Sequence, residues 1–279
     1  MRARFGAEDP ALLATATAFF QRYQTYIEAR GQTLCYGLDC YLKLVARMVQ
    51  ERMEFLRTGK YASNSFVDVE QQIYMNADVF EYHMHGLVFA QFLWPEQATR
   101  FKFFSQHIAK HLAESDSYLE IGGGHALYIL ETVRHAPATT NFSLIDISPS
   151  SMELAKGIVG DLPIDFRLLN IFDYAPGTTF DFITMGEVIE HVEDPLSLLR
   201  RVRELLAPGG HAFISTPANS ATIDHIYLFN SADEIREMFL EAGFAIVAEK
   251  IEFADNISPE RAAKLKSAVM YAAFVKSAS

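Results

Sequence analysis

Residues 185–195 read MGEVIEHVEDP, and within them Glu187, Glu190 and His191 fall at i, i+3 and i+4. That spacing can bring two carboxylates and an imidazole to one side of a helical turn, a donor set able to hold a divalent cation or move a proton. The same residues can instead end a strand and order the turn after it. A second cluster, YLEIGGGHALYI, sets Glu120 ahead of Gly122, Gly123 and Gly124. Glycines between a strand and a helix let a ligand approach backbone N–H groups, which favour polar or anionic atoms. In SLIDIS an apolar run ends on Asp146, where a carboxylate can accept from both hydroxyls of a ribose. Ser148 with Pro149 is the better cap for the next helix, which leaves Asp146 for a ligand.

Further candidates lie elsewhere in the chain. The stretch QQIYMNADVFEYHMHGLVFAQFLW carries Tyr74, Tyr82 and His83, with Val79, His83, Gly86 and Ala90 on one helical face. A histidine among small apolar residues is either a satisfied core group or an acid–base group facing a ligand. The segment STPANSATIDHIYLF adds Asn219, His225 and Tyr227.

Two kinds of element must position these groups. Up to residue 113 the punctuation is helical. Asp9 and Pro10 open a first helix that stops at Gly31, a second spans about 37–58, a third runs unbroken from Ser65 to Trp94, and Pro95 starts a fourth. Beyond it, YLEI, NFSLID, IDFRLL, FDFITM and HAFIST alternate with helical segments, the pattern of right-handed crossovers in a mostly parallel sheet. Ser231 and Glu234 form a capping box for one more helix, followed by FAIVAEKIEF and AVMYAAFVKS, the last strand returning antiparallel. The expected fold is α/β, Rossmann-like and seven-stranded, with an all-helical N-terminal cap over 1–113 and a ligand-binding domain over 114–279.

A 279-residue chain, 50% apolar and 21% charged, has material for a substantial core. The net charge of −11 argues against wrapping nucleic acid. The 22 phenylalanines and 12 tyrosines are expected mainly as packing. Cys35 and Cys40 alone make neither a zinc site nor a disulfide framework, and read as reduced thiols. The start, MRARFGAEDP, lacks a signal-peptide core, so a cytoplasmic protein without a membrane segment is expected.

In order and spacing, LEIGGG, LID, LLNIFDYAP, FDFITMGEVIEHVEDP, LLRRVRELLAPGGHAFISTP and LFNSADEIREMFLEAGF resemble the class I S-adenosylmethionine-dependent methyltransferases over about 105–279. The resemblance implies S-adenosyl-L-methionine as co-substrate. Glu120 and Gly122–Gly124 would back its methionine part, Asp146 its ribose, and Ile147, Asn170 and Ile171 its adenine. Asn170 departs from the acidic residue usual there. Gly186 and Glu187 would lie near the sulfonium. Tyr74, His83, His191 and His225 are the candidate catalytic residues. Some RNA-terminal methyltransferases of this class hold a divalent metal with a comparable Glu-x-x-Glu-His and a distant His, for which Glu187, Glu190, His191 and His225 would stand. The same segment is common in metal-free relatives, so no metal is expected and the stretch reads as a marker of the cofactor pocket.

The fold does not name the acceptor, because methyl transfer needs chiefly alignment of nucleophile, carbon and sulfur. The leading expectation is transfer to a small-molecule acceptor, with no nucleic-acid or membrane partner and with a homodimer as an allowed assembly. Two alternatives remain open: closure of the cofactor's own aminobutyrate arm with release of methylthioadenosine, and a non-catalytic binding scaffold.

Overall fold

The computed structural model describes residues 9–112, 115–175, 177–254 and 258–278. The expected boundary between 113 and 114, most of the MRARFGAEDP start and Ser279 lie outside the described residues.

The N-terminal segment is helical, as its punctuation requires. Asp9 accepts from the Leu12 N–H to start α1 (Pro10–Ala29). α2 (Leu34–Thr58) stops at Gly59, whose φ of 73° is the left-handed closing conformation. α2 begins at Leu34 rather than near 37, which places Gly37 inside it; a Cβ there would lie 2.5 Å from the Phe89 ring. Free thiols Cys35 and Cys40 both sit in α2.

The single helix expected from Ser65 to Trp94 is broken. Ser65 caps a short α3 (Phe66–Val69), a wide π turn follows over Glu70–Tyr74, and α4 (Ala77–Leu93) starts anew. Asn76 causes the restart: its side chain accepts from the Val79 N–H, the usual way an N-cap competes with a continuing helix. α5 (Pro95–Leu112) follows directly.

The sheet comprises β1 (Ser117–Ile121), β2 (Asn141–Asp146), β3 (Ile164–Leu168), β4 (Phe180–Gly186), β5 (Leu206–Ala218), β6 (Phe244–Phe253) and β7 (Val269–Ser277). The order is β3-β2-β1-β4-β5-β7-β6, parallel through β5, with β7 antiparallel to both β5 and β6. Crossover helices are α6 (Leu127–His135), α7 (Pro149–Val159), α8 (Pro195–Leu205) and α9 (Ala232–Glu241), and α10 (Pro259–Lys264) precedes β7. β5 is longer than HAFIST because Leu206 already pairs with Phe180, and residues 207–210 form an irregularity before His211 pairs with Phe182.

Strand residues alternate between two cores. Tyr118, Phe182 and Phe213 join one with α1, α4, α5, α6 and α7, whereas Leu119, Ile183 and Ile214 join the other with α8 and α9. The helical segment is therefore built into the sheet's own core. Phe104 of α5 is fully buried, with Tyr128 and Phe213 rings edge-on at 4.8 and 4.9 Å. Much of the aromatic excess is packing of this kind. α1 is seated on α7, where a Cβ at Gly157 would lie 2.0 Å from the Tyr26 ring. No helix among the described residues is long and apolar enough to cross a membrane.

Candidate active site

The parallel strands β1, β2 and β4 end at one edge, where ligands of open α/β sheets bind. At the end of β1 the chain turns through Gly122 (φ 68°) and Gly124 (φ 44°). A Cβ on Gly122 would lie 2.5 Å from Val188, so only glycine lets the turn come this close.

Asp146, at the tip of β2, accepts from Ser148 N–H at 2.8 Å and from Gly124 N–H at 3.4 Å. Ser148 caps α7 itself, so Asp146 is not spent on that helix. Burial pushes the Asp146 carboxyl up to about 6, even though these N–H groups pull the other way. Glu120 accepts from the Tyr118 hydroxyl at 2.9 Å, and burial raises its carboxyl to about 8.

Two adjoining cavities share walls at Phe66, Gly122, Asp146, Ile147, Val188 and Val192. The first, about 220 Å³, is lined by Glu120, the three glycines, Gly186, Glu187, Tyr74, His83, His191 and His225, together with Met48, Phe80, Trp94 and Arg100. The second, about 270 Å³, holds Asn170, Ile171 and Phe172. Every residue expected from sequence to bind cofactor or act catalytically thus lines one of the two. Tyr82 and Tyr227 line neither cavity. Asn219 also lies outside them, its amide donating to the Asn230 carbonyl at 2.8 Å. The Asn170 side-chain oxygen accepts from Phe172 N–H at 3.0 Å, capping the short turn over Ile171–Asp173, so its first task is local.

Three residues that sequence motifs did not single out complete the first cavity. Arg100 of α5 is buried; its Nη1 meets Glu187 Oε1 at 2.7 Å and its Nη2 donates to Gln91 at 3.1 Å. The Arg100 Nε has no hydrogen-bond partner in the protein. Gln91, from α4, lines the same wall. The signal for Arg100 was an arginine on the apolar face that also carries Phe101 and Phe104. Glu187 has φ 56°, an uncommon conformation for a non-glycine residue, secured by Glu187 N–H to Ser215 O at 2.9 Å and by the Ser215 hydroxyl to Glu187 Oε1 at 3.1 Å.

The third residue is Asp224, from the segment after β5. Its Oδ2 lies 3.4 Å from His83 Nε2, and the Thr222 hydroxyl donates to its Oδ1. Burial opposes charge on Asp224, but the imidazoles of His83, His191 and His225 outweigh it and hold the carboxyl well below the usual range. On the other side of the ring, His83 Nδ1 is buried and has no hydrogen-bond partner in the protein. The Tyr74 hydroxyl lies 3.4 Å from His191 Nδ1. Burial, with His191 beside it, pushes His225 down to about 3, so that ring is neutral.

These features fit S-adenosyl-L-methionine by the chemistry of the donor set. A glycine cradle closed to any side chain, an arginine with an unused Nε, a carboxylate at the ribose position and the apolar Ile147, Ile171 and Phe172 match its carboxylate, ribose and base.

Comparisons with known proteins agree. A methyltransferase domain family matches residues 96–249, more than half of the chain. Ubiquinone biosynthesis O-methyltransferase of Xanthomonas oryzae pv. oryzae (strain PXO99A) is 33% identical over 102 residues, 35% of this chain and 41% of that protein. The chain thus spans about two fifths of the length of the curated relatives it matches. The crystal structure of the N-methyltransferase NodS from Bradyrhizobium japonicum WM9 in complex with S-adenosyl-L-homocysteine matches with a TM-score of 0.54 at 18% identity, over 77% of this chain and 99% of that one. The mitomycin 7-O-methyltransferase MmcR matches with a TM-score of 0.56 at 12% identity, over 83% and 68%. At these identities the structural likeness is one of fold alone. Family match and site geometry together show that the chain belongs to the methyltransferase-domain family, with the class I S-adenosylmethionine-dependent fold.

Proposed function

We propose that the protein transfers a methyl group from S-adenosyl-L-methionine to a hydroxyl of a small-molecule acceptor, and that His83 removes the hydroxyl proton. The buried Nδ1 of His83, left without a hydrogen-bond partner on a ring that lines the first cavity and has Nε2 beside Asp224, carries this reading. A neutral hydroxyl is a poor nucleophile, so a positioned base contributes about 10²–10⁴-fold. The co-substrate supplies an electrophilic carbon on a good leaving group. The chain's own residues do the rest. Arg100 and the glycine turn hold the amino-acid end, Asp146 the ribose, and Ile147 and Ile171 the base. The segment 1–113 contributes Met48, Phe66, Phe80 and Trp94 to the acceptor side, which favours an apolar, ring-bearing acceptor. Such an acceptor wall has no use in a reaction that closes the co-substrate on itself.

Incubation with S-adenosylmethionine, alone and with a panel of small aromatic alcohols and phenols, tests the proposal. S-adenosylhomocysteine formed only when an acceptor is present supports it. Methylthioadenosine accumulating without acceptor would overturn it in favour of ring closure. His83→Gln should lower turnover by about 10²-fold or more while leaving cofactor affinity unchanged.

A further inference from the structure

We propose that the outer face of α2 packs against the same face of a second copy of this chain, antiparallel about a two-fold axis at Val45 and Ala46. The pairing gives a partner to a surface that methyl transfer does not use.

The first observation is a bare apolar stripe. α2 is held to the molecule by its inner face, where a Cβ on Gly86 of α4 would lie 2.9 Å from Leu44 Cβ and 3.1 Å from the Cys40 carbonyl oxygen. Phe55 is buried on that same face. On the outer face Leu38, Leu42, Val49, Met53 and Leu56 are between 42% and 67% exposed. Cys35 and Ala46 are exposed beside them, and Val45 is half-buried. The stripe advances by steps of three and four residues over 35–56, the period of a helix that packs along its length on another helix. Single exposed leucines need no explanation, whereas a continuous apolar face of this length marks a contact.

The second observation is that the stripe reads alike from both ends. When two copies run antiparallel, Cys35 of one lies level with Leu56 of the other, Leu38 with Met53, Leu42 with Val49, and Val45 with Ala46. Every level sets apolar against apolar, the self-complementarity that a two-fold interface requires. Ala46, the smallest side chain of the stripe, falls at the axis and lets the backbones approach.

Charge and area agree with this partner. Asp39 and Arg57 lie on one edge of the stripe, near its two ends. Antiparallel packing turns Asp39 of each copy toward the Arg57 end of the other, whereas parallel packing would set each charge beside its twin. α2 has 25 residues. It is therefore about 37 Å long and about 10 Å across, so two such faces bury on the order of 1,000 Å², the lower bound for a specific interface. A reversible dimer with a dissociation constant of micromolar order is expected, not an obligate one. A lipid surface fits worse, because it has no use for a symmetric stripe and a net charge of −11 opposes adsorption to anionic headgroups.

Sedimentation velocity of the full chain over about 1–200 µM tests the pairing. Wild type is expected to pass from monomer to dimer across that range. Leu42→Glu sets a carboxylate against Val49 of the other copy and should raise the dissociation constant at least tenfold. Because Leu42 is exposed, the melting temperature of dilute protein should stay unchanged. Oxidation in a Cys35→Ser background, which leaves only the buried Cys40, reads the register. Ala46→Cys should give a disulfide-linked dimer across the axis. Leu38→Cys should give none, since its two copies stand about 22 Å apart along the helices. Wild type that stays monomeric at the top of the range overturns the proposal, and its capture by phosphatidylglycerol vesicles would then assign the stripe to a membrane. A Leu42→Glu dimer as tight as wild type, or crosslinking at Leu38→Cys in place of Ala46→Cys, overturns it as well. None of these outcomes bears on whether methyl transfer occurs.

Discussion

His83 Nε2 and Asp224 Oδ2 meet at 3.4 Å, joining a helix of the N-terminal segment to the stretch that follows β5. The proposed base and its partner thus come from distant parts of the chain, and the pair exists only once α4 has docked over the sheet. Asp224→Asn preserves volume but lets the amide donate to His83 Nε2, which shifts the ring's proton to Nδ1, the nitrogen proposed to act as base. Turnover should fall about 10²-fold or more with cofactor affinity unchanged, as single-turnover kinetics and cofactor titration would show.

Asp146 sets stability against binding. Its folded-state carboxyl sits at about 6, above the ordinary 3.8, so its contribution to stability is fully present below 3.8 and is lost as pH rises through 6. At neutral pH the buried charge costs on the order of 2–3 kcal/mol. Asp146→Asn should therefore raise the melting temperature of the ligand-free protein at pH 7.5 but not at pH 3.5. It should also weaken S-adenosylmethionine about tenfold or more by removing charge-assisted hydrogen bonds to ribose. Calorimetric scans at the two pH values, with titration of the cofactor, check both halves.

The Arg100–Glu187 pair separates structure from binding. Arg100→Met leaves a carboxylate facing an apolar wall and should cost about 3–5 kcal/mol. Adding Glu187→Gln should restore most of that stability, because the uncompensated charge is gone. Cofactor affinity should stay low in the double variant, since the guanidinium proposed to hold the amino-acid end is still missing. Recovery of affinity along with stability would show that Arg100 acts only on Glu187.

Gly122→Ala tests the cradle. Its φ of 68° strains any side chain by roughly 1 kcal/mol, and the new methyl would lie 2.5 Å from Val188 Cγ2. A lowered melting temperature and weakened cofactor binding are expected together. Val188→Ala in the same chain should relieve the clash but leave the backbone strain.

Where punctuation is local, sequence and structure agree. Asp9 with Pro10, Ser148 with Pro149 and Ser231 all start helices where expected, because a cap needs only its own next few residues. The capping box closes differently: Glu234 accepts from Asn230 N–H rather than from Ser231. Crossover spacing likewise announced a mostly parallel sheet. Misreadings arise where distant partners decide. The π turn at Glu70–Tyr74 interrupts an apolar pattern that reads as continuous, and the turn residues of LAPGG lie within β5 as an irregularity between two points of pairing with β4. Arg100 and Asp224 had no motif to mark them. Their meaning comes from Glu187 and His83, each reached only through the tertiary fold. The EVIEH stretch reads as a possible ligand set, but the contacts of the His191 and His225 rings and the unpartnered Glu190 Oε1 are visible only in three dimensions.

Phe66 walls both cavities, with its backbone N–H held by Glu193 Oε1 at 2.7 Å and its ring 6.2 Å from that of Tyr74. One aromatic ring therefore borders the base-binding side and the acceptor side at once. Whatever free energy one ligand spends in fixing that ring is spared the other. Linkage makes the benefit reciprocal, so each should tighten the other by the same factor. An enzyme built this way gathers its two reactants cooperatively, and a smaller side chain at 66 would uncouple them.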